Sequence, residues 1–347
     1  MIINKTEIND NSSVYIIAEL SANHEQNFDL AVRTIKAMKD AGADAVKLQT
    51  YSPDSLTLDS DKPWFKTRED SLWAGQKMYD LYKKGETPWE WHPKLQKLAH
   101  DLEMDFFSSP FDFKGVELLE SINVPVYKIA SFEITDVPLI KKCAETGKPI
   151  IMSTGAATIE DIDLAVRTCL EAGNNQIALL KCTSAYPTPF DQVNLKQIPI
   201  LQDRYKFIVG LSDHTLGIEI PIASVVMGAK IIEKHFVLSR DGNGLDKDFS
   251  LEPQEFKQMV IAVRNVEKAL GNGSFELTKK MKTATRFRRS LFVSKDIKKG
   301  ELLSENNVKS VRPGLGMHPQ YYYDILGKKV NRDVEKGEPL SDEMIIS

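Results

Sequence analysis

Lysines, histidines and serines recur at the ends of short apolar runs in this 347-residue sequence. Lys47 sits in AVKLQT (45–50) and Lys128 in VYKIAS (126–131), while Ser131, Ser153 and Ser212 close similar runs. Ammonium groups joined by hydroxyl donors form a cationic set suited to a phosphate or carboxylate, which points to an anionic substrate. Gln49 follows Lys47 by two and so shares its face in an extended strand. His214 in GLSDHT and His235 in IIEKHF can share one divalent cation and leave coordination positions open for substrate. No thiolate and no third histidine at a strand end joins them, so a structural zinc is not expected; a loosely held Mn²⁺ or Mg²⁺ completed by water and substrate fits better. The alternative is that neighbouring carboxylates such as Asp213 and Glu233 hold the two imidazoles. Glu19 and Glu133 offer carboxylates at two further run ends.

Eight β-rich runs must position these groups: 14–20, 45–50, 105–110, 126–131, 149–154, 177–182, 207–212 and 230–236. Between most of them lie segments of helical periodicity such as LAVRTIKAMKDAG, several closed by a glycine that suits a helix C-cap. Apolar strands alternating with amphipathic helices predict a parallel sheet covered by helices, and eight such units over about 250 residues predict a (β/α)8 TIM barrel. An open doubly wound sheet is the rival, disfavoured because no GxGxxG opens the first helix. All eight runs end in polar residues, including Ser108, Ser109, Lys181 and Tyr186. One such residue is ordinarily an ion pair or a solvated rim group; eight together predict a site at the C-terminal face of the barrel, because buried charge is costly unless partnered or used.

Composition supports a catalytic domain over 1–272, a polar, basic linker over 273–288 and a small β-rich module over 289–347. The module holds an internal echo, SKDIKKGELLS against NRDVEKGEPLS. Net charge is −4 and charged content 27%, which offers nothing to a polyanion, so no nucleic acid partner is expected. Cys143, Cys169 and Cys182 lack metal-ligand spacing and read as small buried apolar residues in a reducing compartment. The short apolar stretch near the N-terminus, with no cationic region before it, fits neither a signal peptide nor a membrane span; a cytoplasmic protein with no membrane partner is expected.

The motifs together resemble the sialic acid synthases, which condense phosphoenolpyruvate with an amino sugar. IAELSANH (17–24), KLQTYSPDSLTL (47–58), SSPF (108–111), YKIASFE (127–133), KCTSAYPTP (181–189), GLSDHT (210–215), EKHF (233–236) and VRPGLG (311–316) stand in family order. SANH, SFE and the Trp-rich 61–91 segment favour the pseudaminate branch. The resemblance implies a TIM barrel followed by an antifreeze-like (SAF) module, packed as a domain-swapped homodimer. It implies that Lys47, Lys128, Ser131, Ser153 and Ser212 hold phosphoenolpyruvate, with Ser108 and Tyr186 near it, and that His214 and His235 bind Mn²⁺ or Mg²⁺. Glu19 and Glu133 would lie near the reacting atoms, Asp246 would contact the acetamido sugar, and Arg312 would reach it from the partner subunit; Gln49, on the face of Lys47, is a further substrate-binding candidate. Position 184 is Ser where the N-acetylneuraminate enzymes have Asn, so contacts there are not carried over.

The 51–91 connection is long for a βα loop, and long loops are more often functional than structural. Its rings Trp64, Trp73, Tyr79, Tyr82 and Trp89 would either pack on the methyl and acetamido groups of a deoxy sugar or pin the loop to the barrel; none is assigned to the site. N-acetylneuraminate or legionaminate synthesis is the rival activity. A non-catalytic carbohydrate-binding or ice-binding protein is the rival class, and it has little use for strand-end lysines and histidines.

Overall fold

A computed structural model of the chain describes residues 1–69 and 73–346. It divides into two compact units, Met1–Gly271 and Asn272–Ser347. In the first, a short hairpin of β1 (Ile2–Ile3) and β2 (Thr6–Glu7) precedes eight parallel strands: β3 (Tyr15–Glu19), β4 (Ala45–Thr50), β5 (Asp105–Pro110), β6 (Tyr127–Ile129), β7 (Ile150–Ser153), β8 (Ile177–Cys182), β9 (Ile208–Asp213) and β10 (Ile231–His235). They close into a barrel in chain order, with β10 pairing β3. The expected TIM barrel is therefore the observed one, and the open-sheet rival is excluded by that closing pair.

Helices cover the barrel: α1 (Phe28–Ala41), α2 (Pro53–Leu56), α3 (Met78–Gly85), α4 (His92–Asp101), α5 (Phe113–Ser121), α6 (Val137–Ala144), α7 (Ile159–Glu171), α8 (Gln197–Tyr205), α9 (Glu219–Val226) and α10 (Pro253–Leu270). α1 shows how sequence sets their limits. The Asn27 side chain accepts from Leu30 N at 3.0 Å at one end, and Gly42, at φ 93°, turns the chain at the other. Ala31, Ile35 and Met38 on its inner face join the barrel core. Among the described residues no helix is long and apolar enough to cross a membrane.

Strand register decides what faces inward. Glu19 pairs with Lys47 and with His235, Glu233 with Ser212, and Ser212 with Cys182, so these six share the interior face. Lys128 pairs with Ile151 and Ser153 with Leu180, which puts Lys128 and Ser153 on the same face. Alternate residues point out toward the helices. There Ser108 bonds Thr50 Oγ1 at 2.6 Å, and Thr50 bonds His92 Nε2 at 2.8 Å. Lys181, also outward, donates to Thr183 Oγ1 at 3.0 Å. The fully buried Lys234 pairs with Asp213 and donates to the Thr215 carbonyl, while Asp213 also accepts from Thr215 N and Oγ1.

In the second unit, β11 (Ser290–Val293) and β12 (Val308–Val311) are antiparallel, over a core that includes Leu291, Ile297, Val308, Val330 and Val334. The internal echo has a structural counterpart. Ile297 and Val334 exchange backbone hydrogen bonds at 2.9 Å; Lys299 N donates to Asp333 and Lys336 N to the equivalent Asp296, at 2.9 and 2.8 Å. Gly300 and Gly337, at φ 84° and 94°, close the two equivalent turns. The stretch read as a linker, 273–288, is partly helical: α11 (Lys279–Ala284) is capped by Thr278, whose hydroxyl accepts from Met281 N at 3.2 Å. Ser347, the last residue of the expected module, lies outside the described residues.

Removing Asp213 would leave the Lys234 ammonium buried without its counter-ion. Asp213→Ala is expected to cost about 3–5 kcal/mol in urea unfolding; a wild-type unfolding midpoint would show that the pair contributes nothing.

Candidate active site

At the C-terminal ends of the strands the interior opens into a cavity of about 640 Å³. Its floor is charged. Lys47 Nζ lies 2.6 Å from Glu19 Oε2 and 3.8 Å from Glu233 Oε1; Lys128 Nζ lies 3.8 Å from the same Glu233 oxygen and donates to Ser153 Oγ at 2.7 Å. Ser212 Oγ donates to Glu233 Oε1 at 3.0 Å. Burial raises the Glu233 carboxyl, but Lys128, Lys47 and Ser212 outweigh it and hold the group below its ordinary range. Glu19 behaves oppositely: burial, reinforced by Glu233, carries it up to about 7 against the pull of Lys47. Burial pulls Lys128 below its ordinary range, while Glu19 and Glu233 outweigh burial and raise Lys47. Lys47, Lys128, Ser131, Ser153 and Ser212 all line the cavity, a set of donors that suits an anion.

The histidines occupy another side. His214 and His235 have ring centroids 5.2 Å apart, with Tyr186 tilted against His214 at 4.5 Å and Phe249 against both imidazoles. His214 Nδ1 is 3.2 Å from the Thr183 carbonyl, a contact that leaves Nε2 as the ligating nitrogen. His235 has a buried Nδ1 without a hydrogen-bond partner, 3.8 Å from Asp246 Oδ2. Burial, together with His214 and Lys47, pushes His235 well below its usual range and keeps it neutral, as a metal ligand must be. Neither Asp213 nor Glu233 hydrogen-bonds a histidine; they are engaged by Lys234 and by the floor lysines, and the carboxylate beside an imidazole is Asp246. Among the described residues no group of three or more His, Cys, Asp or Glu has the spacing for a metal. The donor set suits a cation held by two imidazoles and completed from outside the chain.

Glu133 lines the cavity with a buried, unpartnered Oε2. Burial carries its pKa up to about 7, despite Lys128. Gln49, Tyr186 and Asp246 line the cavity too, and Asp246 accepts from Ser21 Oγ, which in turn accepts from Gln49 Nε2 at 3.1 Å. Gly155 is needed where it stands: a Cβ there would meet Ser184 Oγ at 2.5 Å and both Cys182 Sγ and Ser131 Oγ at 2.8 Å.

Two expected residues, Ser108 and Glu19, are not brought to the cavity. Ser108 faces outward because side chains alternate along β5, and Ser109 is the inward hydroxyl, 3.4 Å from Lys47 Nζ. Glu19 lies beneath Lys47, fully buried and ion-paired, so it positions that lysine rather than meeting substrate. Arg312 belongs to the second unit and is exposed there. Conversely, Glu233 lines the cavity and was read only as a possible histidine partner. Cys182 is not one more apolar filler like Cys143 and Cys169. It faces inward, 3.8 Å from His214 Nδ1, and although burial would raise its thiol, His214, Ser131 and Lys128 bring it down to about 7. Nothing in its run, IALLKC, distinguishes it.

With a folded-state pKa near 7 and an ordinary value of 4.5, the Glu133 proton is retained by the folded chain after the unfolded chain has lost it. Its contribution to stability is therefore greatest below about pH 4.5 and declines as pH rises toward 7. Glu133→Gln is expected to remove that decline, so urea midpoints of variant and wild type should diverge between pH 5 and pH 8 in favour of the variant; parallel midpoints would refute the raised pKa.

Residues 34–275 match the NeuB family and residues 288–346 the SAF domain. The pseudaminic acid synthase of Campylobacter jejuni (serotype O:23/36) is 47% identical over 96% of this chain and 97% of its own length. That of Helicobacter pylori is 46% identical over 95% and 97%. Among solved structures, the N-acetylneuraminic acid synthetase of Leptospira borgpetersenii, in complex with citrate, superposes with a TM-score of 0.74 at 31% identity, over 82% of this chain and 94% of that one. Matched in its barrel by one model and in its tail by another, and related along almost its whole length to these synthases, the chain belongs to the NeuB family.

Proposed function

We propose that this protein is a pseudaminic acid synthase, condensing phosphoenolpyruvate with 2,4-diacetamido-2,4,6-trideoxy-L-altrose and water to give pseudaminic acid and phosphate. The observation that carries the reading is the pair of buried lysines, Lys47 and Lys128, set among serines and open to a cavity, in a chain 46–47% identical to pseudaminic acid synthases. The two ammonium groups and the hydroxyls of Ser131, Ser153 and Ser212 hold the phosphate and carboxylate of phosphoenolpyruvate in place. Gln49, Tyr186 and Asp246 orient the sugar. His214 and His235 are the groups that would hold Mn²⁺ or Mg²⁺, which when bound supplies Lewis-acid polarisation of the sugar aldehyde.

The methylene carbon of phosphoenolpyruvate then forms the new C–C bond with the aldehyde carbon, and positive charge develops at the central carbon. Glu133, with its free buried oxygen, stabilises that charge and takes a proton from the water that adds there. Phosphate departs from the tetrahedral species by C–O cleavage. Glu133 is the carboxylate for this step because it lines the cavity; Glu19 does not, and serves to hold Lys47. The working form is a homodimer in which Arg312, exposed on its own unit, serves the sugar site of the partner subunit.

Incubation with phosphoenolpyruvate, Mn²⁺ and a panel of 2,4-diacetamido and 2-acetamido hexoses is expected to release phosphate with the trideoxy-altrose, mass spectrometry identifying pseudaminic acid. Preference for a 2-acetamido hexose would shift the assignment to N-acetylneuraminate synthesis, and phosphate release with no sugar of the panel would end it. Glu133→Gln is expected to lower kcat by at least about 10²-fold while phosphoenolpyruvate binding, followed by calorimetry, stays within about twofold. The wild-type kcat/KM should rise with pH through about 7, the range in which Glu133 loses its proton.

A further inference from the structure

The cavity is chemically two-sided, and the charged floor accounts for only one side. The other carries Leu56 from α2, Met78, Leu81 and Tyr82 from α3, Tyr51 at the end of β4 and Phe111 at the end of β5. None of these belongs to the hydrophobic core that joins barrel to helices. Met78, Leu81 and Tyr82 recur at the i, i+3, i+4 spacing of one helix face, and all three line the cavity. Within the wall Leu81 and Tyr51 are buried, whereas Leu56, Met78, Tyr82 and Phe111 are partly exposed, unlike the deep Lys47 and Lys128.

The wall is built in place rather than draped over the opening. Tyr51 packs edge-on against Tyr82 and Phe111, with ring centroids at 6.1 and 5.5 Å. α3 ends at Gly85, where a Cβ would meet Tyr51 Oη at 2.7 Å and Ala22 Cβ and Leu245 Cδ1 at 3.2 Å, so only glycine lets the helix come this close to the barrel mouth. Around it, Gln26 Nε2 donates to the Lys84 and Glu86 carbonyls, Thr87 Oγ1 bonds His24 Nε2 at 3.2 Å, and Trp89 Nε1 donates to the Tyr51 carbonyl at 3.2 Å. Of the rings in the long connection, Trp89 therefore pins, Trp64 is exposed, and Tyr82 and Trp73 face the cavity.

We infer that this apolar wall, centred on the Met78–Leu81–Tyr82 face, is the specificity surface for the far end of the sugar and selects a 6-deoxy methyl over a hydroxymethyl. The inference rests on the reading under Proposed function. Phosphoenolpyruvate is gripped at the buried floor and reacts with C1 of the open-chain sugar. C6 lies five bonds from C1 and so reaches toward Leu56, Met78 and Leu81, the carbon surface of a wall that Thr67, Arg68 and the tyrosine hydroxyls flank. A methyl seated against these three side chains loses water, while a hydroxyl in the same place would meet carbon; such discrimination in an apolar pocket is on the order of 10²-fold.

The test compares kcat/KM of the full-length Mn²⁺ enzyme for 2,4-diacetamido-2,4,6-trideoxy-L-altrose and its 6-hydroxy counterpart. Wild type is expected to favour the deoxy sugar by about 10²-fold. Met78→Ser and, separately, Leu56→Ser are each expected to reduce that ratio by about tenfold, through a higher KM for the deoxy sugar and with the KM for phosphoenolpyruvate unchanged. Both positions are partly exposed, so folding is checked by urea midpoint. An enzyme that condenses the deoxy sugar but keeps its preference in both variants would overturn the inference and leave the synthase reading intact. A wild type that turns over neither sugar would overturn both.

Discussion

Two ammonium groups held inside a parallel barrel constrain everything around them. A lysine taken out of water is tolerated only with compensation, and here the compensation is shared: Glu233 stands 3.8 Å from both Lys47 and Lys128, Glu19 pairs with Lys47 at 2.6 Å, and burial still pulls Lys128 below its ordinary range. The serine hydroxyls beside these lysines add donors for an anion, in a cavity that Glu133 and Asp246 line as well.

The electrostatics also separate two carboxylates that the sequence leaves equivalent. Glu19 and Glu133 are both raised to about 7 by burial, yet one is clamped by a lysine beneath the cavity and the other presents an unpartnered oxygen to it. Similar pKa values therefore accompany different roles, and contact rather than titration distinguishes them. The two imidazoles are separated in the same way: burial holds His235 well below its ordinary range, whereas for His214 the neighbouring Cys182, the Thr183 carbonyl and Asp213 outweigh burial and raise it.

Charge at the bottom and apolar surface toward the mouth suit a reaction that joins a small, highly charged acid to a larger, less polar sugar. The first must be gripped by strong local fields, and those fields work best where water is excluded. The second must be recognised by shape over a larger surface, which the long connection after β4 supplies. The 51–91 segment thus extends the barrel's binding surface, and its anchoring by Gly85, Thr87 and Trp89 shows why so many of its residues touch no cavity at all.

The sequence by itself determined the barrel, because alternating apolar strands and capped helices carry their periodicity locally, and β4, β5 and β8 coincide with the runs read from it. It also determined the kinds of group at the strand ends, and the echo in the tail that becomes a pair of reciprocal Asp–backbone contacts. Only the tertiary structure decided which of those groups meet. A strand presents its residues to opposite faces in turn, and neighbouring polar residues such as Ser108 and Ser109, or Asp213 and Ser212, are divided between helix layer and cavity by a register that no single strand contains. For the same reason Cys182 read as filler and Glu233 as a histidine's partner: the charges that redefine them stand on other strands, and are brought within hydrogen-bonding or ionic range only when the barrel closes.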